Sequence, residues 1–165
     1  MAVDTLYDAI QAEIAKYPDR RSAILAALRL AQEKYRWLSP EAFEEVSRCI
    51  DLPVAQCQAV ASFYDMFFLE PVGEHVVEVC TNVSCGLRGA QQVVEAFESA
   101  LGIRAGETTD AFTLRTVECL GGCGWATIVA VDNRHRLNVQ AADVPRIVAE
   151  LRGIEWREPD GGLDT

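Results

Sequence analysis

An α/β (α+β) fold in two parts is what the sequence predicts. A helical bundle is expected over residues 1–71, a small mixed sheet covered by helices over 72–153, and a flexible acidic tail over 154–165. Three observations carry this expectation. Apolar residues in the first seventy positions recur at the i, i+3, i+4, i+7 spacing of a buried helical face. After Pro71-Val72-Gly73 the pattern changes to short β-branched runs broken by glycine. Glu155 to Thr165, with Pro159, Gly161, Gly162 and several acids, reads as a frayed tail.

In the first part, Leu6, Ile10 and Ile14 recur every four positions, and Ile24, Ala27, Leu28, Ala31 and Tyr35 form a second stripe beyond the Pro18-Asp19 break. Ser39 before Pro40 has the form of an N-cap with proline at the first helical position. The helix it opens buries Phe43, Val46 and Ile50, and a fourth, opened by Pro53, carries Val54, Cys57 and Val60 or Ala61. A small antiparallel bundle results. In the second part, His75 to Cys80 reads as a strand, and Ala90, Val93, Val94, Phe97 and Leu101 as a helical stripe after a break at Gly86 to Gly89. Phe112 to Val117 alternates as a strand does. Thr127 to Val131 and Arg134 to Val139 read as two more strands around the turn-forming pair Asp132-Asn133. Ala141 to Leu151 supplies a closing helix, with Pro145 tolerated only in its first turn. The order β-α-β-β-α places helices over a small mixed sheet.

Charge and composition narrow the function. With 15 basic against 25 acidic residues, a net charge of −10, the surface repels nucleic acid and anionic headgroups, so no nucleic-acid partner is expected. No run approaches the length of a membrane span and the first residues lack a signal-peptide layout, so a soluble cytoplasmic protein without direct membrane insertion is expected.

The cysteines are the informative residues. In a reducing compartment the six, at 49, 57, 80, 85, 119 and 123, point to metal or redox chemistry more than to disulfides. Cys80 and Cys85, in VCTNVSCGLRGA, form C-x4-C at the end of the first strand. Cys119 and Cys123, in VECLGGCGW, form C-x3-C at the end of the second. Both pairs are expected to leave the sheet at the same edge, so their loops can bring four sulfurs together although more than thirty residues separate the pairs. Four thiolates at one point repel and need a highly charged cation. Gly86, Gly89, Gly121, Gly122 and Gly124 crowd the two loops and leave room for backbone N–H groups to approach sulfur. A 2Fe-2S cluster meets these demands. Tetrahedral zinc accepts the same donors, although its structural sites favour tighter C-x2-C knuckles, and thiol chemistry is a third reading, without a thioredoxin-type C-x-x-C to support it.

Other candidates have plainer readings. Cys49 and Cys57 fall on helical faces and read as core. His75 and His135 read as ordinary strand-end and turn residues, and Trp125 either shields the cysteines or packs. The aromatic run Ser62 to Phe68 is too apolar for a free surface and is read as the seam between the two parts, with a partner contact as the alternative.

The segments VASFYDMFFLEPVGEHVVEVCTNVSCGLRGA and TVECLGGCGWA resemble the small 2Fe-2S subunits of the NADH-dehydrogenase module of bacterial respiratory complex I, over roughly residues 5 to 151. The resemblance implies a four-helix N-terminal region and a thioredoxin-like ferredoxin domain. It implies one 2Fe-2S cluster per chain, held by Cys80, Cys85, Cys119 and Cys123, that passes single electrons. It also implies a flavin-bearing, NADH-binding partner subunit, so that FMN and NADH belong to the partner rather than to this chain, with no catalytic side chain of its own. Its location would be peripheral to the inner membrane, within a larger complex. One departure falls on the second cysteine loop: the family typically carries a small residue, alanine and proline after the last cysteine pair, where this sequence has Trp125-Ala126-Thr127, and it has Gly122 where alanine is common. The diaphorase subunits of NAD-linked hydrogenases and formate dehydrogenases share these motifs. A free-standing ferredoxin would not need the bundle. A zinc-stabilised helix-turn-helix regulator, suggested by the short helices from Ser39 to Phe63, lacks a basic recognition face.

Overall fold

The computed structural model describes residues 5–154; the tail expected beyond Ile154 lies outside the described residues. The chain divides into two compact units, the first ending at Val72 and the second beginning at Gly73.

The first unit holds α1 (Leu6–Ile14), α2 (Ile24–Tyr35), α3 (Pro40–Ile50) and α4 (Val54–Ala61). Their boundaries follow local chemistry. The Thr5 hydroxyl accepts from the Asp8 N–H, Asp19 caps a 3-10 turn over Arg20–Ala23, and the Ser39 hydroxyl accepts from the Ala42 N–H with Pro40 at the first position of α3. Arg36 and Asp51, both left-handed, end α2 and α3. Ile10, Ala27, Leu28, Ala31, Val46, Ile50 and Cys57 are fully buried in one core, which Cys49 joins. The aromatic run is divided. Phe67 belongs to that core, and Gln32 of α2 holds the segment, its amide donating to the Met66 carbonyl at 2.9 Å and accepting from the Phe68 N–H at 2.7 Å. Phe63 is 80% exposed.

The second unit is a four-stranded mixed sheet in the order β2-β1-β3-β4, formed by β1 (His75–Cys80), β2 (Phe112–Val117), β3 (Val129–Val131) and β4 (Arg134–Arg136). A short α5 (Val83–Leu87) and then α6 (Ala90–Leu101) make the crossover that lets β2 run parallel to β1, and α7 (Val144–Leu151) closes the chain. β1 is central and almost wholly buried, Glu78 included. Val77 and Val79 pack with Leu114, Val129 and Val131 of the sheet and with Val93, Val94, Phe97, Val144, Ile147 and Val148 of α6 and α7. Close packing reaches the backbone at Gly73, where a Cβ would stand 2.5 Å from the Phe112 nitrogen.

The last two strands are shorter than the sequence pattern suggests. Asp132 and Asn133 do form the turn, both at positive φ as a two-residue hairpin of the primed type requires. Beyond Arg136, however, Asn138 takes φ 55° and bends the chain. Its N–H then donates to the Trp125 carbonyl, and that of Val139 to the Thr127 carbonyl, each at 2.9 Å. These backbone groups are satisfied outside the regular ladder. The closing helix likewise begins as a 3-10 turn over Ala141–Asp143, where Gln140 and Asp143 form a capping box, before α7 takes over with Pro145 in its first turn.

Register positions the site. His75 pairs with Phe112 and Cys80 with Val117, so the carboxyl ends of β1 and β2 finish side by side. Both cysteine loops leave from that edge.

Candidate metal centre

Cys80 is the last residue of β1, and its N–H donates to the Ile128 carbonyl at 3.1 Å while the next N–H, of Thr81, donates to the Val117 carbonyl at 3.0 Å. The chain is thereby pinned to both neighbours as it leaves the sheet. Asn82 then caps α5, its side chain accepting from the Val83 N–H at 2.6 Å, and α5 carries Cys85. Gly86 therefore lies inside a short helix, where the sequence pattern suggested a break running from Gly86. The break is at Gly89, which takes φ 94° before α6.

The second loop is more open. Cys119 and Cys123 are exposed, whereas Cys80 and Cys85 are buried. The Gly121 N–H donates to Cys119 Sγ at 3.3 Å, from a glycine at φ 74°. Cys123 starts a 3-10 turn through Trp125, closed by the Trp125 N–H donating to the Gly122 carbonyl at 2.8 Å. A Cβ on Gly122 would meet Ile128 Cδ1 at 3.0 Å, so its bareness lets the loop lie down on that side chain. Ile128, Ala126 and Ala90 form with Cys80 and Cys85 a small apolar floor, flanked by Val117 and Leu120. Trp125, 56% exposed, stands at the surface rather than in that floor.

The thiols influence one another. Cys80 Sγ donates to the Glu118 carbonyl at 3.7 Å, joining the first pair to the residue that precedes Cys119. Burial pushes the Cys85 thiol up from its usual range, and its hydrogen bond with Cys80 and the nearby thiols of Cys80 and Cys123 push the same way, while the Ile128 backbone N–H, bonded to its sulfur, opposes them. Cys80 and Cys123 are thus both within electrostatic reach of Cys85, and Cys80 touches the backbone just before Cys119. Among the described residues no three His, Cys, Asp or Glu side chains converge tightly enough to hold one ion. A two-iron cluster asks for two thiolates on each iron. Four cysteines at one end of the sheet, a sulfur already accepting a backbone N–H and a water-poor floor are compatible with that demand.

The remaining candidates lie elsewhere. Cys49 and Cys57 sit in the core of the first unit, where burial raises both thiols. His75 begins β1, at the end opposite Cys80, and its Nδ1 meets Asp132 Oδ2 at 2.8 Å; Asp132 Oδ1 accepts from the Val76 N–H at 2.9 Å. This pair secures the hairpin. His135 is exposed on β4. Sequence reasoning met Thr127 only as part of the departure Trp125-Ala126-Thr127 and as the head of a strand, and gave neither it nor Ile128 a role at the cysteines.

Comparison with known proteins agrees with this geometry. Residues 10–152 match the family described as thioredoxin-like 2Fe-2S ferredoxin. The second E-type subunit of the NADH-quinone oxidoreductase of Rhizobium meliloti (strain 1021) is 40% identical over 153 residues, which span 92% of this chain and 91% of that one. NADH-quinone oxidoreductase subunit 2 of Thermus thermophilus is 34% identical over 155 residues, 92% of this chain and 84% of that one. Among solved structures, an NAD+-reducing NiFe-hydrogenase in its air-oxidised state superposes with a TM-score of 0.69 at 24% identity. The match covers 79% of this chain and only 23% of the hydrogenase chain, and it is a likeness of fold.

Proposed function

The chain belongs to the thioredoxin-like 2Fe-2S ferredoxin family, in the line of the E-type subunits of NADH-quinone oxidoreductase, and from that premise we propose that it is an electron-transfer subunit. In this reading Cys80, Cys85, Cys119 and Cys123 hold one 2Fe-2S cluster. The partner is a flavin-bearing, NADH-binding subunit whose FMN exchanges single electrons with that cluster, so NADH and FMN belong to the partner. The complex is NADH:quinone oxidoreductase, to which this chain is peripheral on the cytoplasmic side of the inner membrane. Among the described residues no helix is long and apolar enough to cross a membrane.

When bound, such a cluster takes up and releases one electron by change of iron valence. The chain's residues supply the rest. The four sulfurs fix geometry, the Gly121 N–H on Cys119 and the Ile128 N–H on Cys85 disperse negative charge from two of them, and the floor of Ile128, Ala126 and Ala90 keeps water from the buried pair. No side chain acts as acid, base or nucleophile. The observation that carries the reading is the parallel register Cys80 to Val117, which brings both cysteine loops to one edge. The hydrogenase-diaphorase reading has a likeness of fold in its favour, but the Rhizobium and Thermus relatives match over about nine-tenths of this chain at higher identity.

Co-expression with the flavin-bearing subunit tests this function. NADH added anaerobically to the pair is expected to produce the EPR signal of a reduced 2Fe-2S cluster, and added to the isolated chain to produce none. Reduction of the isolated chain by NADH would overturn the division of roles.

A further inference from the structure

Thr127 is completely buried, and its hydroxyl donates to the Arg88 carbonyl at 3.3 Å. Arg88 lies three residues after Cys85, to which it is tied by its own N–H, donating to the Cys85 carbonyl at 3.0 Å. Thr127 lies four residues after Cys123. This hydroxyl therefore joins the segment carrying one cysteine pair to the segment carrying the other. The residue that follows, Ile128, holds the first pair through its backbone: its carbonyl accepts from the Cys80 N–H at 3.1 Å, and its backbone lies close enough to the Cys85 sulfur to favour the thiolate. On the far side the Thr127 carbonyl accepts from the Val139 N–H at 2.9 Å. The Thr127–Ile128 peptide is thus fixed at each end.

We infer that Thr127 is a positioning residue for the cluster: its hydroxyl, held on the Arg88 carbonyl, keeps the Thr127–Ile128 segment oriented, with the Ile128 carbonyl on the Cys80 N–H and the Ile128 N–H turned to the Cys85 sulfur. The inference rests on the proposed ligand set and adds to it a determinant of the redox potential. An N–H donor to a ligand sulfur stabilises the more negative, reduced state, so a firmly held donor raises the potential and a loosened one lowers it. Valine keeps the β-branched shape and backbone preference of threonine and removes only the donor, whereas serine keeps the donor and removes only a methyl group.

The full chain is purified anaerobically as wild type, Thr127→Val and Thr127→Ser. Each protein is analysed for iron and sulfide, for the EPR g-values of its reduced cluster, and for midpoint potential by dye-mediated titration. The expected result is a more negative potential and altered g-values in Thr127→Val, with both returned to wild-type values in Thr127→Ser. Loss of the cluster in Thr127→Val with full occupancy in Thr127→Ser supports the same conclusion. Identical potentials and g-values in all three proteins overturn it, as does equal disturbance, or equal loss of the cluster, in both variants. A wild-type chain without iron and sulfide would instead overturn the ligand assignment, so the two failures are distinguishable.

Discussion

Alanine at Cys119 is expected to abolish the visible absorption and the reduced-state EPR signal of the anaerobically purified chain, and alanine at Cys80, Cys85 or Cys123 to do the same. The loss is complete because a cluster held by four thiolates leaves one iron short of a ligand when any one is removed. The exposed pair makes the sharper test. Cys119 and Cys123 contribute little to the apolar floor, so their replacement removes a ligand while leaving packing nearly unchanged. Cys49→Ala and Cys57→Ala serve as controls. Both residues lie in the core of the first unit, and their variants are expected to keep the full spectrum. A Cys119→Ala protein with an undiminished spectrum would remove Cys119 from the ligand set.

Phe97→Ala is expected to have the largest effect on stability. Phe97 is fully buried and packs between α6, α7 and the apolar face of β1 and β2, where Val77, Val79 and Leu114 are also fully buried. Truncating such a side chain costs about 3–5 kcal/mol, the lost transfer energy of the ring plus the cavity that close-packed neighbours cannot fill. That is a large share of a typical stability of about 5–15 kcal/mol. Urea denaturation followed by circular dichroism measures the effect. With an m-value of about 2 kcal/mol/M the midpoint is expected to fall by about 2 M. A fall below about 0.5 M, roughly 1 kcal/mol on the same m-value, would mean that α6 is not packed on the sheet as described.

The sequence and the structure agree where residue type carries the physics. β1 and β2 occupy His75–Cys80 and Phe112–Val117, and α6 occupies Ala90–Leu101, because β-branched runs and an apolar helical stripe leave little choice of period. Ser39 and Pro40 open α3 as a cap and a preset first φ should, and Asp132-Asn133 makes the hairpin turn. From the strand-loop-helix order alone, the common edge of the two cysteine loops could be expected; the parallel register of β1 and β2 realises it.

What stayed hidden depends on backbone groups and tertiary neighbours. Gly86 reads locally as a breaker, yet the Asn82 cap and the Gly86 N–H donating to the Asn82 carbonyl at 2.8 Å hold it within α5. The shortness of β3 and β4 follows from contacts of Asn138 and Val139 with Trp125 and Thr127, partners more than ten residues away along the chain. Which thiols are buried depends on Ile128 and Ala90 closing over Cys80 and Cys85, and no spacing rule reports it. The Gly121 N–H on Cys119 is the kind of donor the loop glycines announce, whereas the backbone of Ile128 beside Cys85 has no residue signature.

The most direct test of the central claim is the metal and sulfide content of the intact chain, assembled and purified without air. About two irons and two acid-labile sulfides per chain, with a red-brown spectrum bleached by dithionite, are the predicted result. A colourless protein that carries one zinc and no sulfide would contradict it.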